Sequence, residues 1–191
     1  MRAPVVDDRG KRHKMVRTAK LIADDLEFLC VVRDVSAAEV TVQTFHPLHA
    51  YRELAVEFDT GDRHALGMAR QQGDKMNCTF VTPIDCARLL AVQAGSRPRR
   101  QLRVNLEFPA TLCTNGLRTP VMLRDVSPQG ASIECNGWLM IDELVRIECA
   151  SLPTVYAKVR WRRPPRYGLV FEDTFRIDDL ARACAHLQQD R

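Results

Sequence analysis

VMLRDVSPQGASIEC, residues 121–135, is the stretch that decides the fold. A turn of Ser, Pro, Gln and Gly joins a short apolar run to an alternating segment, which is the pattern of two antiparallel strands and their connection. VVRDVSAAEVTVQT, residues 31–44, has the same organisation, and Arg-Asp-Val-Ser occurs in both stretches. The two stretches therefore predict that one structural unit occurs twice in the chain.

A single offset of 91 residues aligns the two halves of the chain well beyond these stretches. The same shift still places Phe80 on Phe171, without an insertion. Self-similarity at a constant offset indicates two copies of one fold, each of about 90 residues. We predict a boundary after Gly95, which gives one domain at residues 1–95 and a second at residues 96–191.

Short apolar or alternating segments separated by Gly, Pro and Asn turns run through both halves. Residues 145–149 alternate cleanly, and a Pro-Pro loop separates two further strand-like runs in a hairpin pattern. Several short strands at even spacing predict a mainly β fold with a small antiparallel barrel in each half. Each copy is expected to end in a helix. Thr82-Pro83 resembles a helix start, and apolar residues recur at helical spacing over 180–187.

The composition excludes several classes of protein. A hydrophobic fraction of 46% excludes a disordered chain, and the sequence has neither an apolar membrane-spanning run nor a signal peptide. We therefore expect a cytoplasmic protein without membrane insertion. The seven cysteines form no CxxC pair and join no histidine at zinc-ligand spacing, so we expect reduced thiols and no metal site. Because nucleotide-cradling and nucleophile motifs are missing as well, we predict that the protein is not an enzyme and has no cofactor.

The positive charge of the chain is concentrated in its second half. Residues 1–95 contain 13 Lys and Arg against 13 Asp and Glu, whereas residues 96–191 contain 15 against 11. The whole net charge of +4 therefore belongs to the second copy. This asymmetry favours an anionic partner there, although it is too small to indicate bulk nucleic-acid binding.

Two clusters in the second copy have the chemistry of a guanine-nucleotide site. The first is an arginine-rich segment, RPRRQLR at 97–103, and the second is the turn DVSPQG at 125–130. An arginine fork fits phosphate oxygens and the O6/N7 edge of guanine, and its flat face stacks on a base. Asp125 can accept hydrogen bonds from guanine N1 and N2, and Ser127 adds a hydroxyl group. Gly130, which has no Cβ, allows close approach of backbone.

The same residues resemble the two motifs of the PilZ family. Arg99-xxx-Arg103 is similar to its RxxxR motif, and Asp125-x-Ser127-xx-Gly130 to its [D/N]xSxxG motif, with the intervening length that the family shows. The resemblance covers residues 97–189. It implies a six-stranded barrel that is followed by a C-terminal helix and binds cyclic di-GMP.

The resemblance also implies roles for individual residues. Arg99 and Arg103, with help from Arg100, would clamp phosphates and stack on guanines. Asp125, Ser127 and Gly130 would contact a guanine edge. Trp161 stands where some members place a base-stacking aromatic, although a half-buried strand residue fits equally well. Trp138 follows Asn-Gly and is expected to pack at a hairpin.

The first copy departs from the motifs. Glu39 stands where the second copy has Gly130, and Asp8 stands where it has Arg99. An added carboxylate repels a diphosphate, so we expect the first copy to keep the fold without binding the ligand.

The function that follows is a cyclic di-GMP receptor whose first domain passes the signal to a protein partner. One alternative is an adaptor that binds no nucleotide and recruits proteins through exposed strand edges. Another is a barrel that binds nucleic acid, which the small number of aromatic residues near the arginines disfavours.

Overall fold

The computed structural model describes residues 11–48, 50–91 and 101–189 of the chain. Contacts divide the chain into two compact units, with the division between Leu102 and Arg103. The boundary predicted after Gly95 lies outside the described residues. The first unit contains β1 (His13–Ala23), β2 (Leu26–Val35), β3 (Glu39–Gln43), β4 (Leu54–Phe58), β5 (Arg63–Gln72), β6 (Lys75–Phe80) and α1 (Cys86–Ala91). The second unit contains β7 (Val104–Thr114), β8 (Leu117–Ser127), β9 (Gly130–Glu134), β10 (Leu144–Glu148), β11 (Val155–Arg163), β12 (Arg166–Phe171) and α2 (Ile177–Gln189).

Both units are closed antiparallel barrels with the same topology. The strand order around the first barrel is β1-β2-β3-β6-β5-β4, and around the second it is β7-β8-β9-β12-β11-β10. Successive hairpins build each half of a barrel, and two non-local pairings close it. The prediction of two tandem six-stranded barrels, each followed by a helix, is confirmed.

The offset of 91 residues holds at the level of individual strand pairings. Ala19 pairs with Cys30 in the first barrel, and Ala110 pairs with Val121 in the second. The β-bulge in the first strand of each barrel also recurs at the same position. Only the hairpins β5–β6 and β11–β12 place their irregularities differently among the described pairings. Identical register explains why the repeat is visible in the sequence, since a shift by one residue would turn every core side chain outward.

A buried ion pair ties α1 to the first barrel. The guanidinium group of Arg17, which is 3% exposed, forms an ion pair with Asp59 and donates a hydrogen bond of 2.7 Å to the carbonyl oxygen of Leu89. A buried charge needs such partners because its desolvation is costly. The arginine therefore satisfies a carboxylate and a helix carbonyl at once.

The helices confirm one sequence expectation and correct another. In α2 the apolar positions Leu180, Cys184 and Leu187 are buried, as their spacing predicted. The first helix does not begin at Thr82-Pro83. The backbone N–H of Ile84 donates to the carbonyl oxygen of Ala37, which keeps this segment bonded to the barrel.

Asp85 caps α1 in place of Thr82. Its Oδ1 accepts hydrogen bonds from the backbone N–H groups of Ala87 and Arg88, at 2.9 and 3.2 Å. An aspartate that accepts from the first free N–H groups is a preferred N-cap. Among the described residues, no helix has both the length and the apolar character needed to cross a bilayer.

Candidate functional site

Arg103 and Asp125 are brought together on the outer face of the second barrel. Arg103 precedes β7, and its Nη1 donates a hydrogen bond of 2.5 Å to Oδ1 of Asp125 on β8. The hydroxyl group of Ser132 on β9 donates to the other carboxylate oxygen. Asp125 is therefore held from both sides, and it in turn holds an arginine side chain that is 41% exposed. Charge-assisted bonds of this kind restrict the rotamers of a long side chain.

A row of cross-strand partners leads from this ion pair to Trp161. Asp125 lies opposite Ser132, Ser132 opposite Gly168, and Gly168 opposite Trp161. Direct partners point to the same face of a sheet and lie one strand spacing apart. The row thus begins at the Arg103–Asp125 pair and ends at an aromatic ring.

The indole ring of Trp161 lies on Gly168. A Cβ atom at Gly168 would overlap this ring, so only glycine leaves room for it there. The indole ring remains partly accessible to solvent, since Trp161 is 40% exposed. Ser132 and Gly168 form a floor of small residues in this row, in which Ser132 is 4% exposed and the indole ring covers Gly168. We call this surface, defined by Arg103, Asp125, Ser132, Gly168 and Trp161, the shelf.

Ser127 and Gly130 build the turn beside the shelf. The Ser127 hydroxyl group is fully buried and donates a hydrogen bond of 3.1 Å to the carbonyl oxygen of Gly130. A Cβ atom at Gly130 would lie 2.2 Å from the carbonyl oxygen of Leu169 on β12. The close approach that this glycine permits is therefore an approach of two neighbouring strands. In this structure both residues shape the turn, while Asp125 and Trp161 remain partly accessible.

Two of the predicted site residues, Arg99 and Arg100, lie outside the described residues. Two shelf residues, Ser132 and Gly168, were not among those predicted. Each of these two residues has a sequence feature that could have identified it. Ser132 stands two residues after Gly130, hence on the same face of an extended strand, and a glycine inside a strand such as Gly168 often marks close approach of another group.

Arg124 organises a second polar network on the outer face of β8. Its guanidinium group pairs with Glu107 on β7 and with Glu134 on β9, and Arg166 on β12 pairs with Glu134 as well. The hydrogen bond from Arg124, together with that from Arg166, holds the pKa of Glu134 below its ordinary value of 4.5. The Glu134 carboxylate therefore stays ionised and offsets the charge of the arginines beside the turn.

The first barrel has an ion pair at the position that matches Arg103 and Asp125. Nη1 of Arg12 donates a hydrogen bond of 3.1 Å to Oδ1 of Asp34. The other arm of the Arg12 fork donates to the carboxylate of Glu39, the residue that replaces Gly130. An arginine that could meet an anionic ligand is thus already bound by two carboxylates of its own barrel.

The shelf itself is also lost in the first barrel. Thr41 and Asn77 replace Ser132 and Gly168, and their side chains hydrogen-bond to each other at 2.7 Å. Arg70 stands where the second barrel has its indole. The floor of small residues and the aromatic end are therefore both missing from this copy.

Comparison with known protein families identifies the second barrel. Residues 97–187 match the family model described as PilZ domain. The C-terminal half of the chain is therefore a PilZ domain, and the protein is a PilZ-domain protein with a second barrel of the same topology ahead of that domain. No curated protein matches the sequence.

Several solved structures resemble the chain over most of its length. PlzA of Borreliella burgdorferi, in complex with c-di-GMP, is 12% identical, with coverage of 93% of this chain and 94% of PlzA and a TM-score of 0.40. The Bacillus subtilis inhibitor of motility MotI (DgrA) is 15% identical, with coverage of 94% and 99% and a TM-score of 0.35. YcgR of Escherichia coli, in complex with c-di-GMP, is 11% identical, with coverage of 91% and 81% and a TM-score of 0.33.

Proposed function

We propose that this protein is a receptor for cyclic di-GMP and binds the dinucleotide on the shelf of its second barrel. The observation that carries the proposal is the Arg103–Asp125 pair at one end of a small-residue floor, within a PilZ domain. Arg99 and Arg100, which lie outside the described residues, complete the phosphate clamp in this proposal. The protein acts as a binding module without catalysis and relays the signal to a protein partner through its first domain.

The dimensions of the shelf support a nucleotide with both phosphates and bases. The backbones of Asp125 and Trp161 are separated by three strand spacings, which is about 14 Å along the sheet, and the indole ring extends from Trp161 over Gly168 towards Asp125. A guanidinium group at one end supplies fork-shaped donors for phosphate oxygens, and an indole face at the other supplies a stacking platform. Because the indole ring covers Gly168 and Ser132 is 4% exposed, a flat ligand would stack on the outer face of this ring, with its phosphates towards the arginine.

The orientation of Arg103 supports its role in the clamp. Asp125 accepts from Arg103 and from Ser132, so its carboxylate positions the arginine before any ligand arrives. A positioned arginine loses less conformational entropy on binding than a free one. Asp125 thereby contributes to binding through Arg103 in addition to the guanine contact that the family resemblance implies.

The first barrel takes no part in nucleotide binding in this proposal. Glu39 occupies the Arg12 fork with a carboxylate, so a phosphate would have to displace a group of its own charge. We therefore expect one binding domain per chain. If two ligand molecules bind as a stacked pair, both bind to the second barrel.

The deciding experiment is a calorimetric titration of cyclic di-GMP into the full chain at physiological salt, with GTP as the control ligand. Arg103→Ala should abolish the binding of cyclic di-GMP while leaving the fold intact. Arg12→Ala is the matched control, because Arg12 is the equivalent arginine of the first barrel and pairs with the equivalent aspartate. Normal binding by Arg103→Ala, or an equal loss in Arg12→Ala, would reject the assignment of the site.

The same titration separates the alternatives. If the wild-type chain gives no heat and no thermal shift with cyclic di-GMP, the receptor proposal fails and an adaptor role replaces it. Among the described pairings, β1 pairs with β4 only over Ala19–Ala23 and β7 pairs with β10 only over Thr111–Cys113, so an adaptor would still have strand edges to offer to a partner. Binding of oligonucleotides that falls steeply with salt would instead support the nucleic-acid hypothesis.

A further inference from the structure

The loop between β9 and β10 presents large apolar side chains to solvent. Trp138 is 67% exposed, Met140 62%, Ile141 43% and Leu144, at the start of β10, 51%. The sequence predicts that Trp138 packs at a hairpin, but in the structure its side chain is exposed. Single exposed apolar residues are common, but four within seven residues form a contiguous patch of the kind that marks an interaction surface. We call these four residues the Trp138 patch.

The backbone that carries the Trp138 patch is firmly held. The Tyr167 hydroxyl group donates a hydrogen bond of 2.9 Å to the carbonyl oxygen of Gly137. At the other end of the loop, Glu143 accepts hydrogen bonds from the Thr114 hydroxyl group at 2.8 Å and from the backbone N–H of Met140 at 2.7 Å. Rigid apolar anchors lose little entropy when a partner covers them, as at the centres of protein interfaces.

Opposite charges flank the patch. The guanidinium group of Arg162 lies 4.5 Å from the centroid of the Trp138 ring. Asp142 lies beyond Met140 and Ile141 along the loop, and its backbone N–H donates to the carbonyl oxygen of Val159. Within the described part of the chain, neither Arg162 nor Asp142 forms an ion pair. Val159 and Arg162 are three residues apart on β11, so the acidic and basic ends are separated by about 10 Å.

A patch with an acid at one end, a base at the other and apolar side chains near its centre is complementary to itself. A twofold rotation places the Asp142 end of one copy against the Arg162 end of the other, and apolar side chains meet between them. We propose that this protein forms an isologous dimer through the Trp138 patch, with two symmetry-related ion pairs between Asp142 and Arg162. The dimer is independent of nucleotide binding.

Other occupants fit the patch less well. The loop between β9 and β10 is not a strand edge, so a partner strand has no ladder to extend there. An anionic bilayer would attract the arginine, but the entry of Met140 and Ile141 would bring Asp142 to the negatively charged headgroups. An acidic protein segment meets the same repulsion. Only a partner with the reversed order of charges matches both ends, and a second copy has that order.

Sedimentation of the full chain over a wide range of concentration tests the proposal. The wild-type chain should approach twice its mass of 21.7 kDa as concentration rises. Asp142→Arg and Arg162→Asp should each weaken the dimer about tenfold or more, because each change places like charges together at both symmetry-related contacts. The double variant should restore the dimer, since the two charges are then exchanged.

Two controls complete the experiment. Met68→Ser removes a side chain of the first barrel that is equally exposed, at 65%, and should leave the dimer unchanged. Arg103→Ala should also dimerise normally, so that loss of nucleotide binding and loss of the dimer are distinguished. A wild-type chain that stays monomeric, single variants that dimerise normally, or a double variant that stays monomeric would each overturn the proposal. In the first case, binding to anionic vesicles would identify a membrane surface as the occupant.

Discussion

Replacement of Gly130 by alanine should destabilise the second barrel severely. The added Cβ would lie 2.2 Å from the backbone carbonyl oxygen of Leu169, and no side-chain rotation can relieve a clash with backbone. To reach ordinary contact, β9 and β12 must separate by about 1 Å, which lengthens the ladder hydrogen bonds between them. Overpacking of about 1–3 kcal/mol and the weakening of one such bond give a loss of about 3 kcal/mol. For a domain of this size that loss lowers the Tm by roughly 12–24 °C.

Tryptophan fluorescence measures this loss for one barrel alone. The chain has two tryptophans, Trp138 and Trp161, and both belong to the second barrel. Gly137→Ala is the control, because a Cβ there meets its nearest neighbour, the Cys135 sulfur atom, at 3.4 Å, and the Tm should change little. A Gly130→Ala chain with the melting temperature of the wild type would refute the pairing of β9 with β12 on which the shelf depends.

Two further predictions concern titratable groups of the second barrel. Burial raises the pKa of Cys149 from 9.0 to about 11, so its thiolate fraction at pH 8 is about a hundredfold lower than in the unfolded chain. Alkylation of Cys149 should be slower by that factor in the native protein than in urea, and equal rates would contradict it. The pKa of Glu134 is lowered in the folded state by Arg124, so its stabilising contribution is present above pH 4.5 and is lost as the pH falls through the folded pKa. Thermal melts of Glu134→Gln should therefore depend less on pH in this acid range than those of the wild type, and an unchanged dependence would refute the linkage.

The architecture could be predicted because the sequence repeat follows the register of strand pairing in the two barrels. One offset aligns both halves, and the structure reproduces it pairing by pairing, as Ala19–Cys30 and Ala110–Val121 show. The start of α1 was not predictable from its cap residues. Thr82-Pro83 has the local preference for a helix start, but a tertiary hydrogen bond from Ile84 to the barrel prevails over it.

The candidate site was predictable only in part. Arg103 and Asp125 lie in motifs that are contiguous in sequence, and the structure joins them. The floor of the shelf depends instead on which residues of three strands lie opposite one another, which a local pattern does not specify. Ser132 and Gly168 were missed for that reason. Sequence reasoning also did not anticipate that Glu39 would bind Arg12 directly, although it identified Glu39 as the residue that disfavours a ligand.

The identical register of the two barrels creates a hazard during folding. Each barrel is assembled from two three-stranded meanders. Because β3 and β9 are equivalent strands, either of them could pair with β12 before the barrels have closed. Tandem domains of the same fold are prone to such exchange. Glu39 discourages it, because its Cβ would meet the Leu169 carbonyl oxygen at the point where only a glycine fits. The glutamate that stands in the first barrel where the second has Gly130 thus helps each half of the chain to find its own partner strands.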